Sequence, residues 1–120
     1  MFRKLARLAL FVGVVTVILL SLIPNEAMPS LAISDALAHM TAYGVLAFVG
    51  GIARRHARSL VMLATVLFLL GASLEFFQGL LPDRDASGYE LLANMVGIAV
   101  GCLVAISINA ALNRRRILLP

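Results

Sequence analysis

The hydrophobic positions form four long apolar segments separated by short polar breaks. The segments cover about 5–23, 31–53, 60–81 and 89–112. Each is close to the roughly 20 residues that an α-helix needs to cross a bilayer, and none alternates between apolar and polar residues as a strand does. The pattern predicts an all-α integral membrane bundle of four transmembrane helices.

The breaks between the segments carry turn signals and charges. They read PNEAMPS at 24–30, RRHARS at 54–59 and PDRDASG at 82–88, and none is long enough to separate two domains. We therefore predict a single domain over 1–120, with its polar motifs within about 31–112. The first segment starts with basic residues, but it is long for a signal peptide and lacks a good cleavage site, so we expect an uncleaved first helix.

Composition supports the membrane class. Hydrophobic residues make up 62% of the chain and charged residues only 13%, which is too little polar surface for a soluble domain of this length. Cys102 is the only cysteine, so an internal disulfide is excluded. The net charge is +4, but the basic residues gather at the segment ends, so we expect no nucleic-acid partner.

The basic residues also predict an orientation. All but one of them fall on the same side of the four segments: Arg3, Lys4 and Arg7, then Arg54, Arg55 and Arg58, then Arg114, Arg115 and Arg116. The positive-inside rule assigns that side to the cytoplasm, so the chain is predicted to be N-in/C-in. The six acidic residues fall on the opposite side, which indicates that the polar chemistry lies at the outer face.

Three of the predicted helices carry polar side chains inside their apolar segments. These are Asp35, His39 and Tyr43 on the second helix, Glu75 and Gln78 on the third, and Glu90 and Asn94 on the fourth. Spacings of three or four residues place each set on one helix face. A rise of about 1.5 Å per residue puts His39, Glu75 and Asn94 each about 10 Å from the outer ends. We expect them to line an outward-facing polar pocket.

The cost of burial predicts how this pocket is arranged. An isolated charge in hydrocarbon costs at least about 2.5 kcal/mol, so Glu75 should be protonated or paired. His39 is the nearest intramembrane candidate, and Arg84 can fold over the site from its loop. We expect His39 and Glu75 to form the floor of the pocket, with Asp35, Arg84 and Glu90 nearer its mouth.

Small residues follow one face of the fourth helix. Ala93, Gly97, Gly101 and Ala105 repeat at four-residue spacing, which is typical of close helix packing. We predict that Gly97 and Gly101 contact a neighbouring helix. A face of this kind also allows a homo-oligomer.

At these residues the sequence resembles the VanZ-like family. The matching pattern is Asp35-x3-His39-x3-Tyr43, Glu75-x2-Gln78, Arg84, and Glu90-x3-Asn94-x2-Gly97-x3-Gly101. It departs at Glu90, where the family pattern has an aspartate. The resemblance implies a small multi-pass protein of the bacterial cytoplasmic (inner) membrane. It also implies a link to glycopeptide resistance, since the name-giving member is associated with resistance to teicoplanin.

Three functions stay open at this point. The first is a pocket that engages a lipid-linked or headgroup-bearing ligand, with binding residues Asp35, His39, Tyr43, Glu75, Gln78, Arg84, Glu90 and Asn94. The second is an enzyme acting on such a lipid, with His39 and Glu75 as acid–base candidates. The third is a structural or partner-binding protein whose polar network sets helix packing. The expected partners are membrane lipids and a lipid-linked envelope precursor.

Metal binding is a further alternative for the same residues. Asp35 and His39, with Glu75 or Glu90, offer ligands for a divalent ion. The chain has no Cys/His cluster and no nucleotide-binding loop, so we expect no metal and no cofactor.

Overall fold

The structure is a computed structural model that describes residues 2–23, 34–54, 56–81 and 86–118. Within these ranges the chain forms four helices and no strand. They are α1 (Phe2–Ser21), α2 (Asp35–Ile52), α3 (Ala57–Gln78) and α4 (Gly88–Leu118). All four are long and apolar enough to cross a membrane. This confirms the predicted all-α bundle with four candidate transmembrane helices.

The helix bounds differ from the apolar segments mainly at the basic residues. α3 begins at Ala57 and so includes Arg58, and α4 continues through the arginine run to Leu118. Arginine is a good helix former, and its charge is favourable near a helix C-terminus, so α4 extends beyond its apolar part. The predicted start of the second segment, at 31–33, lies outside the described residues. α2 begins after Ser34, whose Oγ accepts a hydrogen bond from the Leu37 amide at 3.3 Å and caps the helix.

The contact between α2 and α4 is the most extensive in the bundle. A Cβ atom added at Gly97 would overlap the carbonyl oxygen of Met40, and one at Gly101 would overlap the carbonyl oxygen of Gly44. Farther along, Gly51 lies against Ala105. Residue numbers rise together along this contact, so α2 and α4 run parallel. Small residues are what allow the two backbones to approach so closely.

The core lies where α1 and α3 cover this pair. Its buried residues are Tyr43, Leu46, Ala47, Leu63, Leu67 and Ile98. Gly50 contacts Leu63 and Gly71 contacts Tyr43, so α3 runs antiparallel to α2. α1 packs with Leu10, Val14 and Val17 on the same core.

The four helices alternate in direction and give the bundle two distinct ends. We call the end that holds Ser21, Ser34, Gln78 and Gly88 the polar end. The other end, the basic end, holds Lys4, Arg7, Arg54, Arg58 and Arg114. Gln78 Nε2 donates to the Ser21 carbonyl at 3.0 Å, which links the C-termini of α3 and α1 at the polar end.

Candidate functional site

His39 is held between two residues of α4 at the polar end. Its Nε2 lies 3.2 Å from Glu90 Oε2, and its Nδ1 lies 3.2 Å from Asn94 Oδ1. Glu90 and Asn94 are one helical turn apart, so they meet both nitrogens of the same ring. About a fifth of the His39 and Glu90 side-chain surfaces is accessible, 19% and 21%, so an outside molecule can reach the pair.

The position of the His39 ring is set by three helices. The ring stacks on Tyr43, one turn along α2, with centroids 6.4 Å apart and planes at 17°. Tyr43 and Asn94 are each 1% exposed. Gly71 of α3 makes room for both, since a Cβ atom there would lie 2.8 Å from Asn94 Nδ2 and 3.2 Å from the Tyr43 hydroxyl oxygen. Because an amide oxygen only accepts, the bond to Asn94 Oδ1 requires a proton on His39 Nδ1.

Glu75 reaches the same place from α3 by bonding to the start of α4. Its Oε1 accepts the backbone N–H of Ser87, and the residue is 7% exposed. Ser87 and Glu90 have the spacing of a capping box, and Ser87 Oγ accepts the Glu90 amide at 3.4 Å. In a capping box the carboxylate of Glu90 would take the Ser87 N–H. Here Glu75 occupies that position, and the Glu90 carboxylate faces His39 instead.

These contacts gather His39, Glu75 and Glu90 into what we call the acid–histidine cluster. One ligating atom from each residue lies within 4.8 Å of the others. Among the described residues, Glu75 Oε2, Gln78 Oε1 and Asn94 Nδ2 are buried side-chain atoms that lack a hydrogen-bond partner. The cluster therefore contains a buried acceptor, Glu75 Oε2, that no described residue satisfies.

The contacts differ from the predicted pocket, in which His39 and Glu75 form the floor and Glu90 lies nearer the mouth. His39 and Glu75 lie close together, but the carboxylate in direct contact with His39 is that of Glu90. The reason is that Glu75 is drawn to the N-terminus of α4, where free N–H groups and the positive end of the helix dipole favour a carboxylate.

Of the other candidate residues, the structure describes Asp35 and Gln78 but not Arg84. Asp35 is exposed in the first turn of α2. Gln78 is 2% exposed and directs its amide to α1, where it donates to Ser21. Arg84 lies outside the described residues. Asp35 is thus an exposed carboxylate, and Gln78 is a buried amide that links two helices.

Three residues that contact the candidate residues were not themselves among the sequence candidates. The Ser87 backbone binds Glu75, and the Ser-x-x-Glu spacing before an apolar segment is a signal that points to Ser87 as a helix cap. Gly44 supplies the α2 side of the close contact with α4. Ser21 contributes a backbone carbonyl to Gln78, and no side-chain pattern indicates such a role.

Two cavities lie elsewhere on the described surface. A shallow apolar groove of about 260 Å³ follows the α2–α4 contact, lined by Met40, Thr41, Gly44, Val45, Gly97 and Val100. A cavity of about 450 Å³ at the basic end includes Arg54, His56 and Asn109. Neither is lined by the acid–histidine cluster. Within the described ranges, the polar residues form a packed group with partial access from outside.

Comparisons of the chain with protein families, with curated proteins and with solved structures find no match.

Proposed function

We propose that this chain is a VanZ-like, multi-pass protein of the bacterial cytoplasmic membrane that engages the headgroup of a lipid or lipid-linked envelope precursor. The observation that carries the proposal is the acid–histidine cluster, which is largely buried yet accessible at His39 and Glu90. Ionisable residues inside membrane segments are costly, and in such positions they usually mark a functional site.

The chemistry of the cluster favours a ligand that donates hydrogen bonds. Two carboxylates and one imidazole offer mainly acceptors when the imidazole is neutral. An ammonium group or several hydroxyls on a headgroup would supply the matching donors. A sugar-bearing or amine-bearing headgroup therefore fits the described residues better than a bare phosphate does.

The apolar groove favours a ligand that carries a hydrocarbon chain. It starts at Met40, the residue that follows His39 in α2, and runs along the α2–α4 contact toward the middle of the bundle. A chain lying in this groove would place the attached headgroup at the level of His39. A lipid has both a polar headgroup for the acid–histidine cluster and an apolar chain for the groove, whereas a soluble metabolite lacks the chain.

The proposed orientation places the acid–histidine cluster at the outer face. The basic side chains that the structure describes lie at the opposite end of the bundle, and positive charge is retained on the cytoplasmic side of bacterial membrane proteins. In this orientation both termini are cytoplasmic, and the ligand is one displayed on the outer leaflet.

The proposal is tested by identifying lipids that remain bound to gently purified protein, using native mass spectrometry. Wild-type protein should retain one lipid class in preference to the bulk lipids. Glu75→Gln preserves shape but removes a charge, and it should lower the bound fraction at least tenfold. Ser73→Ala is the matched control, because it removes an exposed polar group from the same helix. Equal retention by wild type and Glu75→Gln would contradict the proposal.

Glycopeptide resistance is a finer part of the proposal and has its own test. Expression of the chain in a teicoplanin-sensitive bacterium should raise the inhibitory concentration, and Glu75→Gln should remove that increase at equal membrane abundance. An unchanged inhibitory concentration with wild-type chain would separate the ligand site from resistance.

The orientation of His39 favours catalysis on the bound lipid as a second candidate. A histidine oriented by one partner and facing a carboxylate is the arrangement expected of a general acid or base. His39→Gln should then lower turnover of the retained lipid by about 10²–10⁴-fold while the protein still inserts. Mass spectrometry that finds the retained lipid unchanged after long incubation with wild-type protein would exclude this candidate for that lipid.

A further inference from the structure

We propose that His39, Glu75 and Glu90 form a binding site for one divalent transition-metal ion, with Zn²⁺ as the best fit. This departs from the expectation of no metal drawn from the sequence. The proposal concerns the same cluster as the lipid ligand but does not rest on that ligand.

The donor set and its spacing suit such an ion. Imidazole nitrogen and carboxylate oxygen are common Zn²⁺ ligands, and three protein ligands leave one coordination position for water or another ligand. Bonds of about 2.0–2.2 Å in tetrahedral geometry place neighbouring ligand atoms about 3.4 Å apart. His39 Nε2 and Glu90 Oε2 already lie 3.2 Å apart. The three ligating atoms lie within 4.8 Å of one another, so a side-chain adjustment of about an ångström closes the site around an ion.

Asn94 prepares His39 for coordination. With Nδ1 donating to Asn94 Oδ1, the lone pair of Nε2 faces the Glu90 carboxylate, and a ligand atom of Glu75 lies within 4.8 Å of the group. A lone pair and a carboxylate oxygen repel each other unless a proton or a cation lies between them. Metal-binding histidines usually have this arrangement, in which the second ring N–H is fixed by an acceptor such as an amide or carboxylate oxygen.

Glu75 supplies a second, independent observation. The residue is 93% buried, and its Oε2 is a polar atom without a hydrogen-bond partner among the described residues. A buried carboxylate oxygen is costly when nothing compensates it. A bound cation within the cluster would satisfy this oxygen.

Protonation of His39 explains fewer of these contacts than a bound metal ion does. An imidazolium at His39 would satisfy the contact with Glu90, but within the described part of the chain the second oxygen of Glu75 would still lack a partner. One divalent ion satisfies the lone pair of His39 and both carboxylates together.

The first experiment measures metal content in protein that carries no histidine tag. After removal of metals by a chelator, wild-type protein should take up one Zn²⁺ per chain, measured by elemental mass spectrometry after gel filtration. The chain has only two histidines, so the matched pair is His39→Ala and His56→Ala. His39→Ala should weaken Zn²⁺ binding at least tenfold, whereas His56→Ala, which changes an exposed residue at the basic end, should bind as wild type does.

A second measurement avoids any dependence on how well a cluster variant folds. In His56→Ala, His39 is the only imidazole in the chain. Zinc-edge X-ray absorption of this variant should show one imidazole and otherwise oxygen ligands at about 2.0–2.2 Å. Absence of the imidazole signal, or failure of wild-type protein to retain zinc, would overturn the metal site.

The outcome is separable from that of the lipid proposal. Zinc retained without a preferred lipid would support the metal site and contradict the lipid ligand. If wild-type protein takes up no zinc but still retains a preferred lipid, the result would support the lipid ligand and contradict the metal site.

Discussion

His39 Nε2 of α2 lies 3.2 Å from Glu90 Oε2 of α4, between one and two turns from the glycine contact between Gly44 and Gly97. The same pair of helices therefore builds both the closest backbone approach and the polar pair. Because the backbones meet at Gly97, the side chains of His39 and Glu90 can reach each other across the α2–α4 contact. Packing at the glycines and chemistry at the acid–histidine cluster are thus physically coupled.

The His39–Glu90 pair should contribute measurable coupling between α2 and α4. A double-mutant cycle with His39→Ala and Glu90→Ala is expected to give a coupling of about 0.5–1.7 kcal/mol, the range found for polar contacts between membrane helices. The measurement is the free energy of unfolding in detergent or bicelles. The same cycle with His56→Ala in place of His39→Ala should give no coupling, and equal values in the two cycles would contradict the contact.

Gly97 should not tolerate even a methyl group. Gly97→Ala forces a Cβ atom against the Met40 carbonyl, so α2 and α4 must separate, and we expect a loss of about 1–3 kcal/mol in unfolding free energy. This loss should appear even though alanine is the better helix former by about 1 kcal/mol. Gly88→Ala is the matched control, since a Cβ atom there meets nothing within 4 Å. Equal stability of the two variants would contradict the close contact.

Gln78 should act in stability and not in ligand binding. Gln78→Leu removes the hydrogen bond to the Ser21 carbonyl, at an expected cost of about 1 kcal/mol. Thr65→Val, an exposed polar-to-apolar change on the same helix, serves as the control and should be nearly neutral. Both variants should keep wild-type lipid and zinc retention, measured on the folded fraction. Selective loss of lipid or zinc retention in Gln78→Leu would contradict this prediction and show that Gln78 takes part in ligand binding.

The N-in/C-in orientation is open to cysteine labelling in a Cys102→Ala background. Tyr89 is 83% exposed at the polar end, and His56 is exposed at the basic end. A membrane-impermeant thiol reagent added to intact cells should label Tyr89→Cys and leave His56→Cys unlabelled until the membrane is opened. The reverse pattern would place the acid–histidine cluster in the cytoplasm and contradict an outer-leaflet ligand.

The sequence by itself determined the helices and the end of the bundle where the polar residues lie. Apolar runs of near-bilayer length, broken by polar turns, have few alternatives to transmembrane helices because backbone groups in lipid must bond within the segment. Alternating direction then follows from short connections. Spacings of three or four residues placed His39 with Tyr43, and Glu90 with Asn94, on common helix faces without knowledge of any neighbour.

Only the tertiary structure decided which of these faces meet. The contact of His39 with Asn94 joins residues 55 positions apart, and that of Gln78 with Ser21 joins residues 57 apart. Such contacts depend on the rotation of each helix about its axis, which is set by packing at Gly44, Gly97 and their neighbours. Glu75 turned toward Ser87 and not His39 because the N-terminus of α4 offered it an unpaired N–H. Spacing along one helix is a local property, whereas choice among competing partners is a property of the packed bundle.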